Sequence, residues 1–474
     1  MELDRSDAFV FFGATGDLAF KQIFPALHGL IRDGDFELPI IGVARSGDLA
    51  FLRERARQSL ATNGAADLAA MNRLLAQLRY VKGSDDDADT FTALRRELGA
   101  AVHPLHYLAV PPDLFEAVID GLGQSGSADG ARVILEKPFG RDLASARTLN
   151  RAVRRTFSDE AIYRIDHFLG KECVQNLLYF RFANAFFEPI WNRDLIASVQ
   201  ITLAESFDVA DRGAFYDGVG AIRDVVQNHL LQVVSLLAME PPSGQRPESV
   251  RNEQFKVLDS IRALTPADVV RGQYRGYRDV RGVKPDSDVE TFAALRLRID
   301  TWRWADVPFY IRTGKSLPAT ATEVLVELKR PPLGVFGRTD ADANYVRFRL
   351  SPDMSISLGA QTKTPGDDMV GHGVELEATH QSADERPPYQ RLIGDAVRGD
   401  QSLFTREDAV EAAWRVVDGA LLDTDPVYGY APGTWGPAEA DRVLEPGSCW
   451  NDLAVGRADS RPRRADSPAT AGRR

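Results

Sequence analysis

The chain has 474 residues, enough for two or three domains, and its 44% hydrophobic content supports sizeable cores rather than a disordered polymer. Lys and Arg total 57 against 68 Asp and Glu, a net charge of −11, which argues against nonspecific binding to nucleic acid or anionic membranes. An anionic substrate would therefore need a local basic cluster. The two cysteines, Cys173 and Cys449, stand far apart, which argues against a disulfide framework or a cysteine-rich zinc site and fits a reducing cytoplasm. The opening MELDRSDAFVFFG has no long apolar h-region, and no stretch approaches the ~18 apolar residues of a membrane helix. A cytoplasmic protein, neither exported nor embedded in a membrane, is expected.

Over residues 1–165 short apolar runs alternate with helical patterns. The runs are Phe9–Phe12, Ile40–Ala44, Leu78–Val81, His106–Val110, Val133–Leu135 and Ile162–Ile165; the helices include Leu49–Leu60, Asp89–Leu98, Leu114–Leu122 and Leu143–Thr156. This alternation predicts a doubly wound, mostly parallel sheet, a Rossmann-like nucleotide-binding domain. From 166 to 450 the pattern changes. Val199, Ile201 and Leu203 alternate with polar neighbours, as do Leu295, Leu297 and Ile299, while Val324, Val326 and Leu328 repeat the period; Val346–Leu350 and Met354–Leu358 extend it. Strands with one wetted face predict a large antiparallel sheet. Ile222–Leu237 is apolar nearly all round and predicts a buried helix, with further helices at Tyr389–Val397 and Asp408–Leu422. The second domain is thus an α+β unit, expected to carry the substrate-binding and oligomerisation surfaces. Residues 451–474 are rich in Arg, Pro and small residues and read as a disordered tail.

GATGDLA, Gly13–Ala19, follows the first strand, where backbone amides at a helix start can hold a pyrophosphate. It is not a full GxGxxG, and a tight structural turn is the alternative. At the end of the second strand stands Arg45, where NAD enzymes usually place an acid on the ribose. An arginine there suits a 2′-phosphate and so favours NADP. EKPFG, Glu136–Gly140, ends the fifth strand and places Lys137 at the ligand edge of the sheet; its bond to Pro138 is a candidate for the cis form. RIDHFLGKE, Arg164–Glu172, packs Asp166, His167 and Lys171 together, and RDVVQNHL, Arg223–Leu230, adds Asp224 and His229. His167 and Lys171 are four apart and share a face if helical. Asp224 and His229 are five apart, roughly 140° around an ideal helix, so spacing alone does not pair them. A lone histidine on a buried helix is more often a satisfied core residue; Asp166 at the domain boundary is what makes a general base plausible.

Together these blocks, with RTGK at Arg312–Lys315, resemble the glucose-6-phosphate dehydrogenase family from about Phe9 to Trp435. The resemblance implies hydride transfer from a sugar phosphate to NADP, some relatives also accepting NAD. It assigns His229 as proton acceptor and Asp166 as its partner. By the same resemblance His167 and Lys171 grip the substrate phosphate, Glu205, Asp224 and Lys315 contact the substrate, and Gly13, Thr15, Gly16, Asp17, Leu18 and Arg45 bind the cofactor; Lys137, from its strand-end position, is expected to reach both substrate and cofactor. No metal is called for, and a homodimer or homotetramer is implied. Three positions depart from the family: Phe168 replaces a common tyrosine, Gln22 follows Lys21 where a second cation is usual, and Thr320 replaces a Lys or Arg. Each lost donor to a dianion costs on the order of one to three kcal/mol, so weaker substrate binding is expected. The departures also keep open a dehydrogenase of another sugar or sugar phosphate, or a weakly active NADP-binding paralogue.

Overall fold

The computed structural model describes residues 5–64, 67–333, 335–336, 343–379, 386–421 and 426–453. The first sheet is wholly parallel and runs β3 (Leu78–Lys82), β2 (Ile40–Ala44), β1 (Ala8–Phe12), β4 (Pro104–Leu108), β5 (Arg132–Leu135), β6 (Ile162–Arg164). β1, β2, β4 and β5 are buried at every position because helices cover both faces, which is why they read as continuous apolar runs. The fourth strand begins and ends two residues before the expected His106–Val110; Ala109 and Val110 stay apolar but leave the sheet as a loop. Strand order reverses between β1 and β4, and the crevice beyond their carboxyl ends is the ligand position of open α/β sheets.

The second sheet has nine strands in the order β14 (Gly371–Thr379), β13 (Ser355–Lys363), β12 (Tyr345–Ser351), β11 (Ala321–Leu328), β7 (Ile196–Ala204), β10 (Phe309–Gly314), β9 (Phe292–Leu297), β8 (Val269–Tyr274), β15 (Tyr428–Tyr430). It is mixed rather than antiparallel: β7 pairs with β10, and β8 with β15, in parallel. Alternation reveals which face a side chain takes but not the direction of the neighbouring strand, and a long crossover brings β10 back alongside β7. Nor are the polar faces of the central strands wetted. Gln200, Thr202, Arg312 and Glu323 are all at most 5% exposed. The C-terminal segment seals them: Gln200 donates to Cys449 O at 3.0 Å, and Arg312 bonds Asp452 at 2.9 Å between the Trp435 and Trp450 rings. Asn451–Leu453, the start of the expected tail, pack here, with Leu453 buried; the rest of that tail, 454–474, lies outside the described residues.

Two late helices return to the first sheet. On Pro388–Arg398, Leu392, Ile393, Ala396 and Val397 share a core with Phe9, Phe11 and Tyr107. On Glu407–Leu421, Trp414 donates its indole N–H to Phe139 O at 2.8 Å, just beyond Lys137. The sequence break at 165/166 is therefore crossed by the chain's own C-terminal half. The seam between the two sheets is held from both sides.

Candidate active site

Gly13 leaves β1 with φ +72°, and a Cβ placed there would lie 2.2 Å from Ala109 O. Only glycine fits, and its absent side chain is the cradle a phosphate backbone needs. Gly16 N donates to Gly13 O at 2.9 Å, closing the turn, and the helix opens at Asp17. Thr15, Gly16 and Leu18 thus flank a helix start whose first N–H groups have no intrahelical partner, an anion-binding arrangement. Asp17 is exposed and ion-paired to Lys21 at 3.5 Å and Arg55 at 3.8 Å. Arg55, from the helix Leu49–Thr62, also donates to Gly16 O at 3.3 Å. Sequence reasoning passed over it, because nothing local marks an arginine that reaches the turn from another helix. Gln22 is exposed on the following turn. Arg45 is the first residue beyond β2, exposed, near Asp85 and Asp86, and in no ion pair or hydrogen bond among the described residues.

At the seam, Asp166 follows β6 and is 2% exposed. Its Oδ1 accepts from His229 Nδ1 at 2.5 Å and from Phe168 N at 3.0 Å. Burial alone would raise its carboxyl pKa; the His229 charge and hydrogen bond, with His167 and Lys137, outweigh that and hold Asp166 well below the usual carboxylate range. Burial pulls His229 below its usual value, although Asp166 acts the other way. At neutral pH the pair is carboxylate and neutral imidazole. With Nδ1–H given to Asp166, the Nε2 lone pair is left facing Lys137 Nζ at 2.9 Å, a tautomer assigned from the hydrogen bonds.

Lys137 reaches this point from the end of β5 through a cis Lys137–Pro138 bond, as the sequence suggested. It also meets Asp224 Oδ1 at 3.2 Å and Asp224 O at 3.1 Å. Asp224 and His229 do share a face after all, because the helix over Ile222–Leu230 bonds i→i+5. These wider turns bring residues five apart nearly back into line, where an α-helix would separate them. The expectation of separation rested on the ideal period.

His167 and Lys171 do not lie on an α-helix. Asp166–Lys171 forms successive i→i+3 turns, and the helix proper starts at Glu172. Lys171 Nζ lies 3.9 Å from the Phe168 ring centroid, and that ring stacks on His229 at 4.3 Å and 16°. Burial lowers the Lys171 pKa and, with His229 nearby, takes His167 down to about 3, so the ring is neutral. Phe168 is thus a buried spacer between His229 and Lys171. On the other wall, Lys315 pairs with Glu205 at 2.5 Å. Thr320 is not aimed at that pair: its hydroxyl accepts from Ser206 N at 2.9 Å.

Behind Lys137, Glu136 is buried, bonded to Tyr107 Oη and to Tyr389 from the helix Pro388–Arg398. This tyrosine-clamped carboxylate was also missed; only its place beside Lys137 hinted at it. Asp166, His167 and His229 offer ligand atoms within 4.8 Å of one another, a metal-like triplet that the sequence did not reveal. Asp166 Oδ1 and His229 Nδ1 are spent on each other, and the Lys137 ammonium stands at His229 Nε2, so the donor set suits proton transfer better than a cation. Clefts of about 440 and 430 Å³ lie elsewhere, around Arg406, away from these groups.

Residues 10–176 match the family model for the glucose-6-phosphate dehydrogenase NAD binding domain, and 178–451 that for the C-terminal domain. The chain is 42% identical over 451 residues to glucose-6-phosphate 1-dehydrogenase 1 of Mycobacterium tuberculosis, covering 94% of this chain and 96% of that one. It superposes on the crystal structure of glucose-6-phosphate 1-dehydrogenase from Mycobacterium avium with TM-score 0.89 at 41% identity, covering 96% of this chain and 100% of that one. A glucose-6-phosphate dehydrogenase in complex with its substrate glucose 6-phosphate gives 0.88 at 36% identity, covering 95% and 100%. With both halves matched by the family models and 42% identity to a relative over nearly the whole chain, the chain belongs to the glucose-6-phosphate dehydrogenase family.

Proposed function

We propose that this protein oxidises glucose 6-phosphate at C1 to 6-phosphogluconolactone, the first step of the oxidative pentose phosphate route, with NADP as cofactor. The observation that carries it is the Asp166–His229 pair at 2.5 Å, which leaves the His229 Nε2 lone pair turned into the seam, where Lys137 Nζ meets it at 2.9 Å. His229 Nε2 takes the C1 hydroxyl proton, and Asp166 stabilises the imidazolium that forms. The C1 hydrogen leaves with its electron pair as hydride, for which the nicotinamide ring, when bound, is the acceptor. Gly13, Thr15, Gly16, Asp17 and Leu18 form the turn that would hold the dinucleotide, and Arg45, exposed at the end of β2, suits its 2′-phosphate. Lys137 bridges both ligands. Lys171 and neutral His167 hold the substrate phosphate, while Glu205, Asp224 and Lys315 take sugar hydroxyls.

NADPH formation followed with a panel of free and phosphorylated hexoses tests this. Glucose 6-phosphate should give the highest kcat/KM; a different best substrate would overturn the reading. Thr320, whose hydroxyl serves Ser206 rather than a charge, is the observation favouring the second reading, another sugar or sugar phosphate. For the cofactor, Arg45→Ala should raise KM for NADP at least tenfold more than for NAD. Equal effects would make Arg45 a bystander.

A homo-oligomer completes the proposal. β14 forms an exposed sheet edge with Leu376 63% exposed, a surface a second copy would cover, and sedimentation measures it directly. Among the described residues neither Cys173 nor Cys449 is in a disulfide, which supports a reducing, cytoplasmic setting.

A further inference from the structure

Glu290, just ahead of β9, is 4% exposed and addresses a helix start rather than a cation. Its Oε1 accepts from Ile222 N at 3.0 Å, and its backbone carbonyl accepts from Ala221 N at 3.0 Å. These donors open the wide-turn helix that carries Asp224 and His229. Gly220, at φ +73°, gives the carboxylate room: a Cβ there would lie 2.5 Å from Glu290 Oε1. The next residue acts on the opposite wall, since Thr291 O accepts from Lys315 N at 2.9 Å. One dipeptide therefore anchors both the helix of the base and the loop of the substrate lysine.

A helix bonded i→i+5 leaves one more amide unpaired at its start than an α-helix does, and the wide turn is seldom adopted without help. Burying a carboxylate is costly unless hydrogen bonds or a charge partner offset it, and here the Ile222 N–H supplies such a bond. Arg223, Arg271, Tyr216 and Tyr277 are the charged and titratable groups near it. What the cap fixes here is phase. If the first turn relaxes to the α period, Asp224 and His229 rotate apart by roughly 140° and no longer meet Lys137 together.

We propose that Glu290 is a positioning residue for the dehydrogenation, locking the wide turns that turn Asp224 and His229 to one face. The inference rests on His229 being the base. Glu290→Ala should lower kcat at least thirtyfold and raise KM for glucose 6-phosphate through the displaced Asp224, while KM for NADP stays within about threefold and the acid limb of the kcat/KM profile moves. Glu290→Gln keeps an acceptor for Ile222 N and should restore kcat to within threefold of the parent enzyme. Gly220→Ala, which pushes the carboxylate away without removing it, should reproduce the alanine variant's loss, and it serves if that variant does not fold. Wild-type kcat in folded Glu290→Ala or in Gly220→Ala, or a Gln variant as impaired as Ala, overturns the proposal. A His229→Asn enzyme that keeps its activity would instead remove the premise, a distinct result.

Discussion

His229 and Asp166 form a charge arrangement whose two variants separate binding from chemistry. His229→Asn should lower kcat by several orders of magnitude and leave glucose 6-phosphate affinity within about tenfold, because the base acts in the transition state. Asp166→Asn removes the carboxylate that raises the His229 pKa, so the acid limb of the rate profile should move to lower pH as kcat falls. A limb that moves upward would show that another group titrates. Lys171 is tested by its sugar. Its alanine variant should raise KM for glucose 6-phosphate tenfold or more while sparing free glucose, since a charge-assisted contact is lost. Equal harm to both sugars would place the phosphate elsewhere. Thr320→Lys, expected from sequence to help by restoring a cation, must also sacrifice the acceptor that Ser206 N now uses, so its gain should be smaller than the loss at Lys171.

At the scale of elements, the glycine turn and the helix that carries His229 are two pieces of backbone that position the candidate site. Gly13→Ala puts a Cβ 2.2 Å from Ala109 O and forces an L-residue to φ +72°. The turn must shift. KM for NADP should rise at least tenfold while the melting temperature falls by only a few degrees; unchanged cofactor affinity by isothermal titration would mean that the turn is merely structural. The helix over Ile222–Leu230 shows why periodicity alone misjudged one residue pair. Its apolar content announces burial whichever helical form it takes, but the bonding pattern, which decides the faces, depends on the Glu290 cap. Similarly, the i→i+3 turns of Asp166–Lys171 place Lys171 on Phe168.

On the scale of the whole molecule, buried histidines set a pH limit. His106 is fully buried, with Nε2 on Ser127 O at 2.7 Å, and burial takes its pKa down to about 4. The folded state therefore refuses a proton that the unfolded chain accepts near pH 6.5. Such a group costs nothing above pH 6.5, and its penalty grows as pH falls toward the folded value, reaching on the order of 3 kcal/mol near pH 4. Denaturant melts of the parent and of His106→Leu between pH 7 and 4 should converge as pH falls. Parallel curves would show that His106 is not the proton acceptor. The late helices make a second whole-molecule point. Pro388–Arg398 and Glu407–Leu421 pack on the first domain, so His229, Lys137 and Tyr389 are assembled by contacts spanning much of the chain.

The sequence by itself determined what local chemistry can specify. Continuous apolar runs demanded a doubly covered parallel sheet, the glycine turn after β1 demanded a backbone only glycine allows, and the resemblance singled out Asp166 and His229 before any distance was known. Only the tertiary structure decided the parallel joins in the second sheet, the sealing of its polar face by the C-terminal segment, the wide turns that align Asp224 with His229, and the long-range partners Arg55, Tyr389 and Glu290. The reason is physical. A residue's own neighbours fix its backbone preferences and which face it buries, whereas strand direction, helix phase and buried hydrogen-bond partners are settled by groups tens or hundreds of residues away.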